Sequence, residues 1–540
     1  MPTQPDTSTY STNNKSPKYV LAIDVGTSGT KVGIVNQDGE IVASISGRYE
    51  TRFLSNGGAE QDPSDWWRVI STGVKQVVSE AHASPADIVA IGTSSQWSVT
   101  VAVDEHGNPL MNAISWMDSR GGKYNAEMVK GFPSLQGFGI LSLFKWIDLV
   151  GYPPFLEGTD SLAHILFIKN ELPEIYRRTY KFLEPMDFIN MRLTGKACAT
   201  PCSNIGSLLI DNRKDGTKDY NPWLLERSGI DRAKLPDLLP VEGVVGNLQT
   251  DVAREWGLSP STVVITSATD NSVAPIGSGA IADYEAVAVL GTSGMLVFHF
   301  PHKKTDLSLG LVAMPSALNG RYLFSADTGN TGKVVDAFIK TMIYGQDAFR
   351  IHDMPEDFYA RLNQAAVQVP AGSEGVLFLP WINGGSLSPT NDRFLRGGFI
   401  NLTNRTTRDH LARAMLEGIA YNWRWLRKSA ETFSKYKFPY WHLTGGGAVS
   451  DVWAQIMADV IGIPMHQQEN PSYNTLLGIA FLAFNRLGLM SLDEIPKKIR
   501  IRRVYEPDPA NREVYDRMYA QFRKCQTQLK PVFHSLNKTS

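Results

Sequence analysis

Two apolar segments, each running straight into a Gly-Thr-Ser turn, set the plan of this chain. Tyr19-Val20-Leu21-Ala22-Ile23 leads into Asp24-Val25-Gly26-Thr27-Ser28-Gly29-Thr30-Lys31, and Ala286-Val287-Ala288-Val289-Leu290 leads into Gly291-Thr292-Ser293-Gly294. A repeated strand and turn points to internal duplication, with a boundary near residue 282. After the first strand, Lys31-Val32-Gly33-Ile34-Val35 and Ile41-Val42-Ala43-Ser44-Ile45 flank Asn36-Gln37-Asp38-Gly39. Asp-Gly between apolar runs is a hairpin signal, so a three-stranded antiparallel meander is predicted. In the second half, Arg408 to Phe433 sets Leu411, Met415 and Ile419 on one helical face, and Ser450 reads as the N-cap of a helix with Val452, Ile456, Met457 and Val460 inward. Strands alternating with helices in both halves predict an α/β fold.

The 540 residues have room for two domains with their own cores. Residues 18–281 and 282–540 are the expected units, after a tail of residues 1–17, rich in Ser, Thr, Asn and Pro, that is expected to be disordered. That tail lacks the apolar core of a signal peptide, and no apolar run is long enough to span a bilayer. With 53 basic and 54 acidic residues the net charge is -1, which argues against general nucleic-acid binding and leaves an anionic cofactor to be held by local geometry. Cys198, Cys202 and Cys525 fit no disulfide or zinc spacing and read as reduced thiols of a cytoplasmic protein. The ten histidines show no metal spacing. Homodimers are the commonest oligomers, so a homodimer is the expected form of any self-association.

Four segments can carry chemistry. In Asp24 to Lys31, the glycines let the backbone approach a ligand, backbone N–H groups and hydroxyls can cradle phosphate, Asp24 can orient magnesium, and Lys31 is a cation at the turn. It is not a Walker loop, because the Gly-Lys-Ser/Thr ending and the following helix are absent. An ordinary hairpin turn has the same composition. Gly291-Thr292-Ser293-Gly294 is the second turn; paired with the first it can grip a polyphosphate from the other side. Gly445-Gly446-Gly447-Ala448 stands between a strand-like run and the helix capped by Ser450, where three entropically expensive glycines favour contact with a base or phosphate over a plain loop. Asp270, in Ala268-Thr269-Asp270-Asn271-Ser272, is either a general base for an attacking hydroxyl or the cap of the next helix, and spacing alone does not decide.

In order and spacing these segments resemble the FGGY family of carbohydrate kinases, its xylulokinase-like branch most closely, from about Tyr19 to about Leu492. Gln61-Asp62-Pro63 with Trp66-Trp67, Trp116-Met117-Asp118-Ser119-Arg120, Met186-Asp187-Phe188 with Arg192-Leu193-Thr194-Gly195, Asp270-Asn271 and Phe378-Leu379-Pro380 also match family segments. The resemblance implies a two-domain, actin-like (ribonuclease H-like) fold with ATP and the sugar in the interdomain cleft. The first domain would hold sugar and phosphate, and the second the nucleotide. Asp270 would be the base, Asp24 would support Mg2+, and Gly446, Gly447 and Ala448 would lie along ATP. Gly26, Thr27, Ser28, Lys31, Gly291, Thr292 and Ser293 are the phosphate candidates; Gln96, Trp97, Asp118, Arg120, Asp270 and Asn271 are the sugar candidates.

The implied reaction moves the γ-phosphate of ATP to a hydroxyl of a small sugar or polyol, foremost a ketopentose such as xylulose. Several positions depart from the family. Gln96-Trp97-Ser98-Val99 stands for Gln-Met-His-Gly, His164 and Phe167 for Lys and Trp, Asn401 for Gly, and Gly385-Ser386-Leu387 for Gly-Glu-Arg. A sugar-binding regulator or inactive paralogue on the same fold, and a non-sugar ATPase of the actin-like superfamily, are the alternatives.

Overall fold

The structure is a computed structural model that describes residues 17–538 apart from 136, 346, 349–352, 383, 386 and 387. The tail through residue 16 and the departures at Ser386 and Leu387 lie outside the described residues.

The meander is present. β1 (Tyr19–Val25), β2 (Gly29–Asn36) and β3 (Ile41–Arg48) are antiparallel neighbours. Helix α1 (Pro63–Ala81) begins where Pro63 follows Asp62, whose carboxylate accepts from the Ser64 N–H; a proline at the first helical position and an Asp cap both favour this start. The chain then returns as β4 (Ile88–Ser95), parallel to β1 and buried throughout. Helices α2 (Ser161–Glu171) and α3 (Pro185–Thr194) follow. Then come β5 (Val244–Asn247), β6 (Val263–Ile265), β7 (Ala268–Thr269) and α4 (Asp270–Gly277). The sheet order is β5-β6-β4-β1-β2-β3, with β7 also paired to β4.

The second half repeats this wiring. β8 (Val287–Val289), β9 (Met295–Phe300), β10 (Lys304–Asp306), β11 (Leu311–Pro315) and β12 (Tyr322–Asp327) come first. The helix α5 (Gly332–Phe338) and the long helix α6 (Arg408–Ser434) follow. Then come β13 (Trp441–Thr444), α7 (Asp451–Ile461), β14 (Met465–Gln468), α8 (Asn474–Arg486), β15 (Ile501–Tyr505) and α9 (Arg512–Asn537). The order is β10-β11-β12-β9-β8-β13-β14-β15. In each half, three antiparallel strands are extended by two parallel ones, β3-β2-β1-β4-β6 against β12-β9-β8-β13-β14. This is the actin-like pattern twice over. The predicted cap holds, with Ser450 accepting from the Trp453 N–H at 3.0 Å; the structure adds a capping box of Thr407 with His410 at the start of α6. Asn401, where the family carries Gly, has φ 64°, a left-handed conformation that Asn tolerates better than most residues. Among the described residues no helix is long and apolar enough to cross a membrane.

The halves are not two independent bodies in sequence order. Helix α8, from the second half, lays Leu476, Ile479, Ala480 and Phe481 on Val20, Ala22, Val35 and Ala90 of the first sheet. It crosses α4 with backbone against backbone: a Cβ on Gly478 would stand 2.1 Å from the Val273 carbonyl oxygen, and one on Gly277 2.0 Å from that of Asn474. Polar bonds flank the crossing. Asn474 donates to the Ala274 carbonyl at 3.1 Å, and Gln468 to that of Gly277 at 2.8 Å. Across the other side, Tyr322 donates to the Asn212 carbonyl at 2.8 Å. The basic C-terminal stretch is used in structure: Tyr515 of α9 meets Arg413 and Glu417 of α6, both at 2.9 Å.

Glu184, just before α3, ties three segments of the first half together. It accepts from the Val99 N–H at 2.9 Å and from the Ser161 hydroxyl at 2.5 Å. Burial pushes its carboxyl up to about 8.

Two outcomes follow from this packing. Gly478→Ala should destabilise by roughly 1–3 kcal/mol through overpacking, although Ala is the better helix former; a thermal melt no lower than the parent's would refute the tight crossing. For Glu184, the folded protein keeps a proton that the unfolded chain releases above about 4.3. Its contribution to stability is therefore complete at low pH and is lost as pH rises toward about 8. Glu184→Gln should flatten the fall of Tm between pH 6 and pH 8, and melts at both values check it.

Candidate active site

Parallel pairing brings three separated segments to one edge of the first sheet. Asp24 on β1 sits opposite Ser94 on β4, and Ser95 sits opposite Thr269 on β7. The residues that follow these strands, Gly26 to Ser28, Gln96 to Ser98, and Asp270, therefore emerge side by side. The ends of parallel strands are where open α/β sheets bind ligands. The second half does the same: Val289 sits opposite Thr444, so the Gly291 turn and the Gly445 loop emerge together. Their contact is direct, since the Gly447 N–H donates to the Leu290 carbonyl at 2.9 Å.

The first turn is braced from below. The Gly26 N–H donates to the Gly29 carbonyl at 3.0 Å. Gln61 donates to the Thr27 carbonyl at 2.8 Å, and the Trp116 indole to the Thr27 hydroxyl at 3.2 Å. Tyr49 donates to the Gly26 carbonyl. Gln96 in turn donates to Gln61 at 2.7 Å, linking this turn to the loop after β4. In the second half, a Cβ on Gly291 or on Gly446 would meet nothing within 4 Å, so both positions face open space. Ala448 is buried, and its carbonyl accepts from Gln467 at 2.6 Å.

Asp270 is the first residue of α4, and the N-cap position belongs to Thr269. Capping therefore does not explain it. One carboxyl oxygen accepts from the Asn271 N–H at 2.7 Å. Burial, then the Asp24 carboxylate and, to a smaller extent, Asp327 push its carboxyl up to about 7; the Asn271 N–H and Lys31 pull the other way. Asn271 donates to Ser325 of the second half at 3.2 Å. Asp24 is 6% exposed, with Oδ2 accepting from Thr475 of α8 at 2.7 Å, while Oδ1 has no partner. Lys31 donates to the Ser472 carbonyl at 2.7 Å, so its head group bridges the halves at the cleft floor.

Asp327 is the residue that sequence reasoning missed. It ends β12 opposite Met295, beside the Gly291 turn, and accepts from the Gly329 N–H at 2.7 Å. Burial pushes it up to about 6. The following residues close over the turn, with the Gly332 and Lys333 N–H groups donating to the Gly291 and Thr292 carbonyls. The signal was present: Asp327-Thr328-Gly329-Asn330-Thr331-Gly332 is an acid at a strand end followed by small residues.

The sugar candidates divide. Gln96 and Trp97 lie on the loop beside Asp270. Asp118 and Arg120 form a buried knot: Arg120 reaches Asp118 at 2.7 Å and Glu60 at 2.8 Å, and lies over the Phe167 ring at 4.5 Å. Asp118 also accepts from the Ala59 N–H at 2.9 Å.

Known proteins share this two-domain fold. The profile of the FGGY family of carbohydrate kinases, N-terminal domain, matches residues 19–277, and that of its C-terminal domain matches residues 286–486. A xylulose kinase of Bacillus subtilis is 28% identical over 524 residues, covering 95% of this chain and 98% of that protein. A crystal structure of gluconate kinase from Lactobacillus acidophilus superposes with TM-score 0.82 at 24% identity, over 97% of this chain and all of that one. Ligand-bound xylulose kinase from the same organism gives TM-score 0.81 at 25% identity, over 96% of this chain and all of that one. Matched in both domains and in their order along the sequence, the chain belongs to the FGGY family of carbohydrate kinases.

Proposed function

We propose that this protein is an ATP-dependent sugar kinase with Asp270 as its general base and a ketopentose, xylulose foremost, as its acceptor. The observation that carries the reading is the position of Asp270. A buried carboxyl pushed up to about 7 stands at a strand end next to the braced Gly26–Ser28 turn and within the field of the carboxylates of both halves. A base with a pKa near the working pH is well matched to taking a hydroxyl proton. The xylulose assignment leans on the Bacillus subtilis and Lactobacillus acidophilus relatives.

In this reading residues 18–281 supply the acceptor pocket and one phosphate turn, and residues 282–540 supply the other turn and the nucleotide loop. Gly26, Thr27 and Ser28 face Gly291, Thr292 and Ser293 across the polyphosphate of ATP, with Gly446, Gly447 and Ala448 along the nucleotide. Asp270 accepts the acceptor's hydroxyl proton. The acceptor oxygen forms a bond to the γ-phosphorus as the bond from that phosphorus to the β-γ bridging oxygen breaks, giving sugar phosphate and ADP. Such transfer is mostly positioning and charge compensation. Asn271 and Lys31, each bonded across the halves, hold the cleft floor beside the base.

The residues fit Mg2+. Asp24 has a buried carboxylate oxygen without a partner, and the carboxylates of Asp24 and Asp327 both act on Asp270 with Lys31 as the nearby cation. Among the described residues no three His, Cys, Asp or Glu side chains form a complete metal site, which suits an ion that keeps waters and phosphate oxygens as ligands. When bound there, Mg2+ neutralises phosphate charge. Free thiols at Cys198, Cys202 and Cys525 suit the cytoplasm, where ATP is made.

Asp270→Asn should lower kcat for sugar phosphorylation about 100- to 10,000-fold while ATP affinity stays within about threefold. Coupled ADP release and calorimetric ATP binding check this together. Full activity in the variant would remove the base; equal loss of ATP binding would make Asp270 structural.

A further inference from the structure

Helix α9 begins past residue 486, where the matched family domains end, and its last turns reach a segment that backs the second Gly-Thr-Ser turn. Its 26 residues run about 39 Å. The near part is packed into the core: Tyr515 is bonded to α6, and Phe522, fully buried, lies on Trp381 with ring centroids 5.1 Å apart. The far part is more open, with Val532 51% and Leu536 69% exposed. A knot of polar contacts around Asp392 holds that far part, in the segment between strands Leu377–Leu379 and Gly398–Ile400.

Asp392 is buried. His534 Nε2 donates to both of its carboxylate oxygens, at 2.7 and 2.9 Å. Lys530 reaches one of them at 3.2 Å, and the Phe394 N–H donates at 3.1 Å. Burial raises this carboxyl, but His534, Lys530 and the Phe394 N–H outweigh it and hold it below the usual carboxylate range. The Phe394 ring meets the His534 ring edge to face at 5.0 Å, and Asn537 donates to the Phe394 carbonyl at 3.3 Å. A buried carboxylate that loses a partner is costly, so these contacts register the segment on α9.

The segment passes this registration on to the turn. Asp392 and Gly385 exchange backbone hydrogen bonds, at 2.6 and 3.1 Å. The neighbouring Gly384 carbonyl accepts from the Asn330 amide at 3.1 Å, and the same amide donates to the Thr328 carbonyl at 3.1 Å. Thr328 then reaches the turn itself. Its hydroxyl donates to the Ser293 carbonyl at 2.9 Å, and its N–H to the Gly294 carbonyl at 2.8 Å. Gly291 faces open space, so the turn takes its position from residues 328–333 behind it. On the other side of Asp392, Asn391 donates to the Leu309 carbonyl at 2.9 Å, which ties the segment to the turn between β10 and β11 as well.

We propose that His534 is a positioning residue for the turn Gly291–Ser293: through Asp392 it holds the segment on which Asn330 and Thr328 rest, and so sets nucleotide affinity without touching the nucleotide. The C-terminal stretch thereby gains a role in the cleft from which its sequence separates it. This rests on the kinase reading of that turn. Loss of His534 loosens the last turns of α9 beyond Phe522 and leaves the core contacts of its near part in place, so its effect falls on binding more than on folding.

The test is calorimetric ADP binding to the full chain, with the KM for ATP and for D-xylulose from coupled ADP release in Mg2+. His534→Ala should weaken ADP binding and raise the KM for ATP about three- to tenfold, with the KM for D-xylulose within about twofold and Tm within about 3 °C. His534→Gln, which keeps a donor for Asp392, should restore ADP affinity to within about twofold. Asp392→Asn should weaken ADP binding as His534→Ala does, and the double variant should bind ADP no worse than the weaker single one, because both act through one contact. If His534→Ala fails to fold, the Gln and Asn variants carry the comparison. ADP affinity unchanged in the folded variants, an equal rise in both KM values, or additive losses in the double variant overturns the assignment. A parent that binds ADP but phosphorylates no acceptor sinks the kinase reading while the ADP arm still decides the role of His534. A parent that binds no ADP sinks both.

Discussion

The parallel register of β1, β4 and β7 makes one site out of three stretches of chain about 70 and 170 residues apart. Each strand is too short to specify chemistry alone. Side by side they deliver Asp24, the Gln96 loop and Asp270 to the same edge, with spacing set by backbone hydrogen bonds. β1 and β4 are buried almost throughout, so Asp24 rides on a well-packed strand and Asp270 follows β7, which is laddered to β4. The second half repeats the device with β8 and β13, and its glycine-bearing turns inherit the same precision.

What joins the halves also touches the site. Helix α8 crosses α4 at Gly478 and Gly277 with no room for side chains, and one residue after its start Thr475 bonds Asp24. Lys31 reaches the Ser472 carbonyl just before it. Any rotation of one half on the other that uses this crossing as its pivot moves these two contacts least. The geometry therefore keeps the carboxylate pair steady while the cleft changes width, which suits a reaction that must keep water away from phosphate.

Local signals were legible and long-range ones were not. The Asp-Gly hairpin, the Ser450 cap and the extent of α6 are written in a few adjacent residues, and the structure has them where turn and cap chemistry put them. Asp270 was open between base and cap on sequence grounds; the structure gives the cap position to Thr269, because Asp270 already has helical geometry. Three things had no local signature. Asp327 joins the site only through its ladder with Met295, α8 leaves its own half for the other's sheet, and Glu184 is buried where two distant segments, at Val99 and Ser161, meet it. Arg120 shows the converse. Its spacing to Asp118 was plain, but only packing with Glu60 and Phe167 shows its donors to be committed.

The departures from the family pattern fall unevenly, and the fold explains why they can. Trp97, Ser98, His164 and Phe167 lie on the loop after β4 and on α2, elements that carry neither Asp24 nor Asp270 nor either Gly-Thr-Ser turn. Phe167 covers Arg120, and burial keeps the His164 ring neutral, so both substituted positions are packed into the first half. Substitution there leaves the strand register that positions the carboxylates undisturbed. The departures and the carboxylates thus sit on separable parts of one half, the carboxylates placed by ladder hydrogen bonds and the departures on the loop and helix beside them.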